Sequence, residues 1–209
     1  MLTVSEAIQK RRSTRSFTGE TVSREMIMEM LEAARMAPSA SNSQPWRFIA
    51  VTDIEEKKKL RQLCYNQMFI EEAGVDFVAC ADLSSYAGKT MKQRRQEAVD
   101  AGIFPSSSLT DPVFLARVNA MEKPDPITVI TPAVANTYIA VEHLVLMATA
   151  LGLGSCWVGA IEDMEKVKKL LGISKELVLV TIVAVGYIKG VPPVRPHLSM
   201  DEILLRPVP

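Results

Sequence analysis

Residues Thr137 to Gly159 read T-Y-I-A-V-E-H-L-V-L-M-A-T-A-L-G-L-G-S-C-W-V-G, and this stretch decides the fold class. Thr137 to Leu151 is apolar nearly all round, the pattern of a helix buried on every side. Gly152 can end that helix in a left-handed cap, and Ser155 to Ala160 then reads as a strand. Gly152, Gly154 and Gly159 miss the G-x-G-x-x-G spacing. They also leave a helix and enter a strand, the reverse of the turn that seats a pyrophosphate on a helix N-terminus. The stretch therefore argues against a doubly wound dinucleotide-binding fold. Small residues beside Trp157 suit either plain helix-to-strand packing or a close backbone approach to something flat.

Toward the C-terminus, Glu162 to Leu171 is an amphipathic helix, acidic at its start and basic later, as the helix dipole prefers. Val178 to Tyr187 is a β-branched strand, apolar enough to lie centrally in a sheet. Gly190 to Pro209 is a proline-rich arm. Toward the N-terminus, Thr3 to Lys10 reads as a short helix. Ser23 caps a second helix with Ile27, Met30, Leu31 and Ala34 at helical spacing, and Pro38 limits it. Arg47 to Thr52 and Phe77 to Ala81 read as strands, and Ile54 to Leu63 as a charged surface helix. Helices and strands mix without strict alternation, which predicts a single layered α+β domain.

Residues 84–126 stand apart. They carry a basic run (Lys89, Lys92, Arg94, Arg95), a serine triplet at Ser106 to Ser108, and Pro105, Pro112, Pro124 and Pro126. The prolines are expected to break any long element, with order returning at Asn136. An excursion of this length is usually functional or mobile.

The 209 residues carry 24 Lys+Arg against 24 Asp+Glu, so no net field attracts nucleic acid or an anionic membrane. Any phosphate affinity must come from a local cluster. Cys64, Cys80 and Cys156 form no C-x-x-C pair, which argues against a metal knuckle or a dithiol and suits unpaired thiols in a reducing compartment. The opening Met1-Leu2-Thr3-Val4-Ser5-Glu6 lacks the order of a signal peptide, so a cytoplasmic location is expected.

Four segments carry chemistry. Arg11-Arg12-Ser13-Thr14-Arg15-Ser16 packs three arginines and three hydroxyls into one turn, either a solvated basic turn or a compact anion site. Pro38-Ser39-Ala40-Ser41-Asn42-Ser43-Gln44-Pro45-Trp46 is a loop framed by prolines, either a local capping loop or a lining for a polar ring. The third is the glycine stretch through Trp157. The fourth is Arg195, held between Pro193 and Pro196 and so restricted before it meets an anion. His143 reads as a hydrogen-bonded core residue, and Glu71-Glu72 as surface charge. No side chain announces itself as nucleophile, general base or metal ligand, which points to an enzyme whose cofactor does the chemistry.

In this order, R-R-S-x-R, P-S-x-x-N-x-Q-P-W, L-G-L-G-S-C-W after a buried helix, and the late arginine resemble the nitroreductase family of flavoenzymes. The resemblance covers most of the chain and fails mainly between residues 84 and 126. It implies an α+β sandwich with a central, mostly antiparallel sheet flanked by helices, and an intertwined homodimer with FMN sites built from both subunits. Residues 1–209 would be one FMN-binding domain, with 84–126 a cover over the site. Arg11, Arg12, Ser13 and Arg15 would hold the phosphate, ribityl chain and flavin edge, with Arg15 the first candidate for the N1–C2=O edge, and Arg195 would complete the phosphate site. Pro38, Ser39, Ser41 and Asn42 would come from the other subunit. Trp157, Val158 and Gly159 would lie along the ring, and Gln67 would meet it. Gly159 stands where some relatives carry an acidic residue. The implied activity is ping-pong transfer from NADH or NADPH to a small organic acceptor such as a nitroaromatic or quinone. A non-catalytic FMN sensor, or a specialised branch such as reductive dehalogenation, is the alternative.

Overall fold

A computed structural model describes residues 2–206. Short polar side chains start most of the helices. Thr3 opens α1 (Val4–Lys10) in a reciprocal box with Glu6, and Ser23 caps α2 (Arg24–Arg35). Strand β1 (Trp46–Val51) leads to α3 (Ile54–Gln62), capped by Asp53, then α4 (Met68–Glu72) and β2 (Val75–Asp82). Helices α5 (Gly88–Asp100) and α6 (Pro112–Ala120) come next, then the long α7 (Pro126–Ala150). Strand β3 (Gly154–Val158), α8 (Met164–Leu170), β4 (Leu177–Gly186) and the short α9 (Met200–Ile203) complete the order.

The strands form one sheet in the order β1-β2-β4-β3, every pair antiparallel. Period-two alternation divides their side chains between two layers. Phe77, Ala79, Val183 and Val185 face α2 and α7 across Met30, Ala34, Leu144 and Val145. Val78, Cys80, Ile182 and Ala184 face α3, α4 and α8 across Leu60, Ile70 and Val167. Strand β4 lies inside the sheet, as its apolar run predicts.

Two expectations need correction. Helix α7 begins at Pro126, well before Asn136, because proline suits the first turn of a helix, where no N–H donor is needed, and Asp125 caps it. Pro132 lies within the helix and leaves the Thr128 carbonyl without its usual donor. The prolines of 84–126 likewise delimit helices: α5 occupies a proline-free stretch and Pro112 opens α6. Nor is α7 buried on every side. Ala133, Thr137, Ala140, Val141, Leu144 and Ala148 form its buried stripe, while Ile127, Ile130, Tyr138 and Ile139 are exposed apolar residues. By length and composition α7 could cross a membrane, and 44% of its most apolar window is buried within the fold.

Cys64, Cys80 and Cys156 are buried and unpaired. Burial pushes the Cys64 thiol up to about 12 and Cys80 up to about 11. These thiols are inert packing groups.

One buried ionisable group stands out in the lower core, the layer between the sheet and α3, α4 and α8. Asp76 on β2 is fully buried, and neither carboxylate oxygen has a hydrogen-bond partner within the chain. Burial raises its pKa well above the usual carboxylate range, and the nearby Lys57 charge offsets only part of this. Lys57 is itself buried and donates to the Ala73 carbonyl. A raised carboxylate pKa means that the folded chain holds a proton the unfolded chain has released. Stability from this group is fully present below the unfolded pKa of about 3.9 and is lost as pH rises through the folded value. We expect Asp76→Asn, neutral at every pH, to melt above the wild type at pH 8, with the gap closing toward pH 4. Melting curves across that range check this. A variant that melts lower at pH 8 would show the ionised Asp76–Lys57 pair to be net stabilising.

Candidate functional site

The arginine turn is bound to the sheet edge. The Thr14 N–H donates to the Ser155 carbonyl at 2.8 Å, and Ser13 bridges Ser155 in parallel register. Phe17 anchors the far end of the turn, buried in the lower core, and its N–H donates to Glu72 Oε2 at 3.4 Å. Backbone alternation then sends Thr14 inward, where it is buried, and leaves Arg15 exposed. Gly154 makes this approach possible. A Cβ there would lie 2.5 Å from Thr14 Oγ1 and 2.7 Å from Ile188 Cγ1.

Burial raises the pKa of Cys156 on β3, and the charges of Arg15, Arg11 and Arg195 each offset part of that rise. Arg195, far away in sequence, thus lies within electrostatic reach of the strand that the turn joins. Among the described residues, none of these three arginines takes part in an ion pair. Arg11 also acts on Glu142 of α7, a half-buried carboxyl whose pKa burial raises. Arg12 differs from its neighbours. Its Nη1 donates to the carbonyls of Gln9 (2.6 Å) and Arg11 (2.7 Å), so part of its guanidinium caps the end of α1. A cleft of about 1020 Å³ runs beside Arg11, Arg12 and Thr14, under the arm at Val191 and Val194.

The turn after α3 reaches the loop that follows β3. Tyr65 and Asn66 sit at φ 52 and 53, a left-handed conformation that costs energy in residues with side chains. They aim Gln67 at the loop after β3, where its Nε2 donates to the carbonyls of Cys64 (2.9 Å) and Ala160 (3.2 Å). The Glu162 N–H donates to the Leu63 carbonyl at 2.9 Å, closing the two loops together. Within the stretch, the Val158 side chain is core, so only its backbone can face a ligand. Trp157 packs on Tyr138 with ring centroids 5.6 Å apart. Gly159 is exposed, and a Cβ there would meet nothing within 4 Å.

The second loop lies elsewhere. Ser41, Asn42 and Gln44 have φ of 55, 53 and 47. Ser39 Oγ accepts from the Gln44 N–H at 3.0 Å, and Asn136 Oδ1 accepts from the Ala40 N–H at 3.1 Å. Asn136 Nδ2 donates to Tyr86 Oη (2.8 Å) and to the Pro132 carbonyl (2.6 Å). Pro38, Ser39, Ser41 and Asn42 are therefore fastened to α7 and to the start of the 84–126 segment. Among the described residues, no hydrogen bond joins them to the arginine turn, Gln67 or β3.

Sequence reading missed three features. Asn136, a lone amide on an apolar helix face, is the hub that seats the second loop. Arg95 lies over two rings, Phe104 and Phe114, each 4.4 Å from its guanidinium carbon to the ring centroid. Glu71 and Glu72, read as surface charge, are half-buried, and Glu71 pairs with Arg61 at 3.2 Å. His143 is hydrogen-bonded, its Nδ1 meeting the Ile139 carbonyl at 2.9 Å, but it is only partly buried and not the core residue expected.

An all-antiparallel sheet between helical layers is not the parallel, doubly wound architecture that binds dinucleotides. The model of the Nitroreductase family matches residues 8–187, and the chain belongs to that family. It is 32% identical over 187 residues to an NADH dehydrogenase of Thermus thermophilus, covering 90% of this chain and 87% of that one. It is 27% identical over 199 residues to an FMN reductase (NADPH) of Bacillus subtilis, covering 95% and 71%. A protein described as a nitroreductase and crystallised with FMN, from Exiguobacterium sibiricum, superposes with a TM-score of 0.83 at 23% identity over 98% and 97% of the two chains.

The two glycines of this site should respond oppositely to a side chain. Gly154→Ala must displace Thr14 and is expected to cost about 1–3 kcal/mol, the usual range for overpacking. Gly159→Ala has room and is expected to stay within about 0.5 kcal/mol of the wild type, as surface changes do. Urea unfolding of both variants checks this. Equal midpoints would mean that the turn does not depend on Gly154.

Proposed function

We propose that this chain is an FMN-dependent oxidoreductase that draws on NADH or NADPH and reduces a small organic acceptor, such as a nitroaromatic or quinone, in a ping-pong sequence. The observation that carries the reading is the arginine turn fixed to β3, with Arg11 and Arg15 outside any ion pair among the described residues and Arg195 within electrostatic reach of the same strand, in a chain of zero net charge. A phosphate monoester suits such a cluster, since guanidinium forks match its oxygens. The buried hydroxyls of Thr14 and Ser155, unpartnered within the chain, show how polar this strand edge is. The open space at Gly159 suits a flat ring against the backbone. The residues present therefore fit FMN.

In this reading Arg11, Ser13 and Arg195 hold the phosphate and ribityl chain, and Arg12 adds the donors that α1 leaves free. Arg15 stabilises negative charge at the pyrimidine edge of the ring by electrostatics. The backbone of Trp157, Val158 and Gly159 lies along the ring, and Gln67, its amide nitrogen spent on Ala160, fixes that loop and offers its oxygen. Bound FMN supplies the two-electron chemistry. The chain supplies binding, orientation and exclusion of water.

A homodimer completes the site, with Pro38, Ser39, Ser41 and Asn42 delivered by the second subunit. Two features support this. The exposed apolar face of α7 at Ile127, Ile130, Tyr138 and Ile139 is wider than scattered surface residues. The arm carries Val191, Val194, Leu198 and Leu205 in exposed positions, suited to wrapping a neighbour. A single domain in the reducing cytoplasm, with its three thiols buried, completes the picture. Residues 84–126 form its cover, with apolar groups excluding water and polar groups selecting the acceptor.

The test begins with the released flavin. FMN is expected after denaturation, and FAD would overturn the cofactor. FMN binding without turnover on either nucleotide would make the protein a sensor. Arg195→Ala is expected to weaken FMN by about 1.5–3 kcal/mol, the scale of a hydrogen bond to a charged group, and to leave riboflavin affinity unchanged. Flavin fluorescence titration measures both, and an unchanged FMN affinity removes Arg195 from the site. For the cover, Phe104→Ala should alter acceptor kinetics far more than FMN affinity. Stopped-flow traces of the two half-reactions, both at wild-type rates across several acceptors, would defeat that assignment.

A further inference from the structure

The Ser41–Asn42 loop meets α5 and α6 around a cavity of about 730 Å³, separate from the arginine turn. That volume is in the range of small-molecule sites. Its walls divide by chemistry. Ile103, Phe104 and Val113 are exposed apolar residues on one part of it. Arg94, Arg95 and Arg117 supply cations.

The charges do not cancel. Glu97 and Asp111 also line the cavity, but both are engaged. Glu97 accepts from Arg94 at 2.6 Å and from Gln93 at 3.0 Å, and those bonds hold its carboxyl below the usual range. Asp111 accepts from the Phe114 N–H at 2.7 Å as the cap of α6. Arg95 and Arg117 have no ion-pair or hydrogen-bond partner among the described residues, and the Nε of Arg94 is buried and unpartnered. Arg95 is also fixed in place. Its guanidinium carbon lies 4.4 Å from the ring centroids of both Phe104 and Phe114, so two rings position the cation. A guanidinium positioned in this way, with its N–H donors unspent on other protein groups, can take a carboxylate at little further entropic loss.

We propose that this cavity selects a planar organic anion, an aromatic carboxylate or its like, by its charge on Arg95 and its apolar body on Phe104, Ile103 and Val113. This names the acceptor class and rests on the reading that residues 84–126 cover the flavin. A phosphate of the pyridine nucleotide shares the oxyanion chemistry, and the test separates the two.

Benzoate and benzamide have the same shape and differ in charge. Calorimetric titration of the FMN-loaded protein should show benzoate binding at least tenfold tighter than benzamide, with the difference shrinking as salt is raised. Arg95→Gln and, independently, Arg117→Gln should each reduce that preference, Arg95→Gln the more, at unchanged flavin content. Arg95→Lys, a cation without the planar fork, should fall between. Equal binding of benzoate and benzamide to the wild type overturns the proposal without any variant. So does benzoate affinity unchanged in Arg95→Gln. Displacement of benzoate by NADP⁺ but not by NAD⁺ would assign the anion site to the nucleotide and overturn the acceptor assignment. A protein that never takes up flavin yet prefers benzoate would refute the flavin reading and leave the anion site standing. A flavin-loaded protein without the preference refutes the anion site alone.

Discussion

The bond from the Thr14 N–H to the Ser155 carbonyl, at 2.8 Å, sets where the arginine turn stands against the sheet. A turn with three arginines would repel itself and wander if left in solvent. Here it is joined to a sheet edge, pinned by Phe17 in the core, and admitted by a glycine that offers no Cβ. The strand it joins is β3, whose partner β4 is buried in the middle of the sheet. The arginine turn is thus held against a strand paired with a buried neighbour.

Two loops carry left-handed residues, one beside the end of β3 and one away from it against α7, and they are stabilised by different means. The turn at Tyr65 and Asn66 is held by bonds from Gln67 and Glu162 to backbone carbonyls across the β3 end. The turn at Ser41 and Asn42 is held by one buried amide, Asn136, on α7. Strained backbone of this kind persists only where the surroundings over-determine it. Its occurrence in the two loops expected to meet the ring, and not in the peripheral helices, is consistent with a ligand at each.

Helix α7 links these regions. Its buried stripe fills the upper core, Asn136 near its middle seats the second loop, Tyr138 supports Trp157, and Glu142 lies near Arg11. Ile127, Ile130, Tyr138 and Ile139 of the same helix are exposed. The α5–α6 excursion hangs from the same helix through Tyr86 and Asn136, so a change in the cover is mechanically close to the loop proposed to touch the flavin.

Local chemistry made much of the fold legible. A capping serine marked the start of α2, the β-branched run marked β4, and the glycine order after α7 argued against a dinucleotide fold, because each of these signals acts within one turn or one strand. The arginine turn, the proline-framed loop and Arg195 were also visible as residue types suited to anions and flat rings, while Gln67 came only through the family resemblance. Where prolines sit relative to a helix was not legible, since Pro126 starts α7 and Pro132 lies inside it, and only packing against the sheet distinguishes the two. Nor could the sequence show that Asp76 is buried without a partner, that Asn136 reaches across to Ala40, or that Arg95 lies over rings nine and nineteen residues away. Periodicity and caps are properties of neighbours along the chain, and the sequence by itself determined those. The meeting of distant cations, amides and rings depends on how the layers close on one another, and only the tertiary structure decided that.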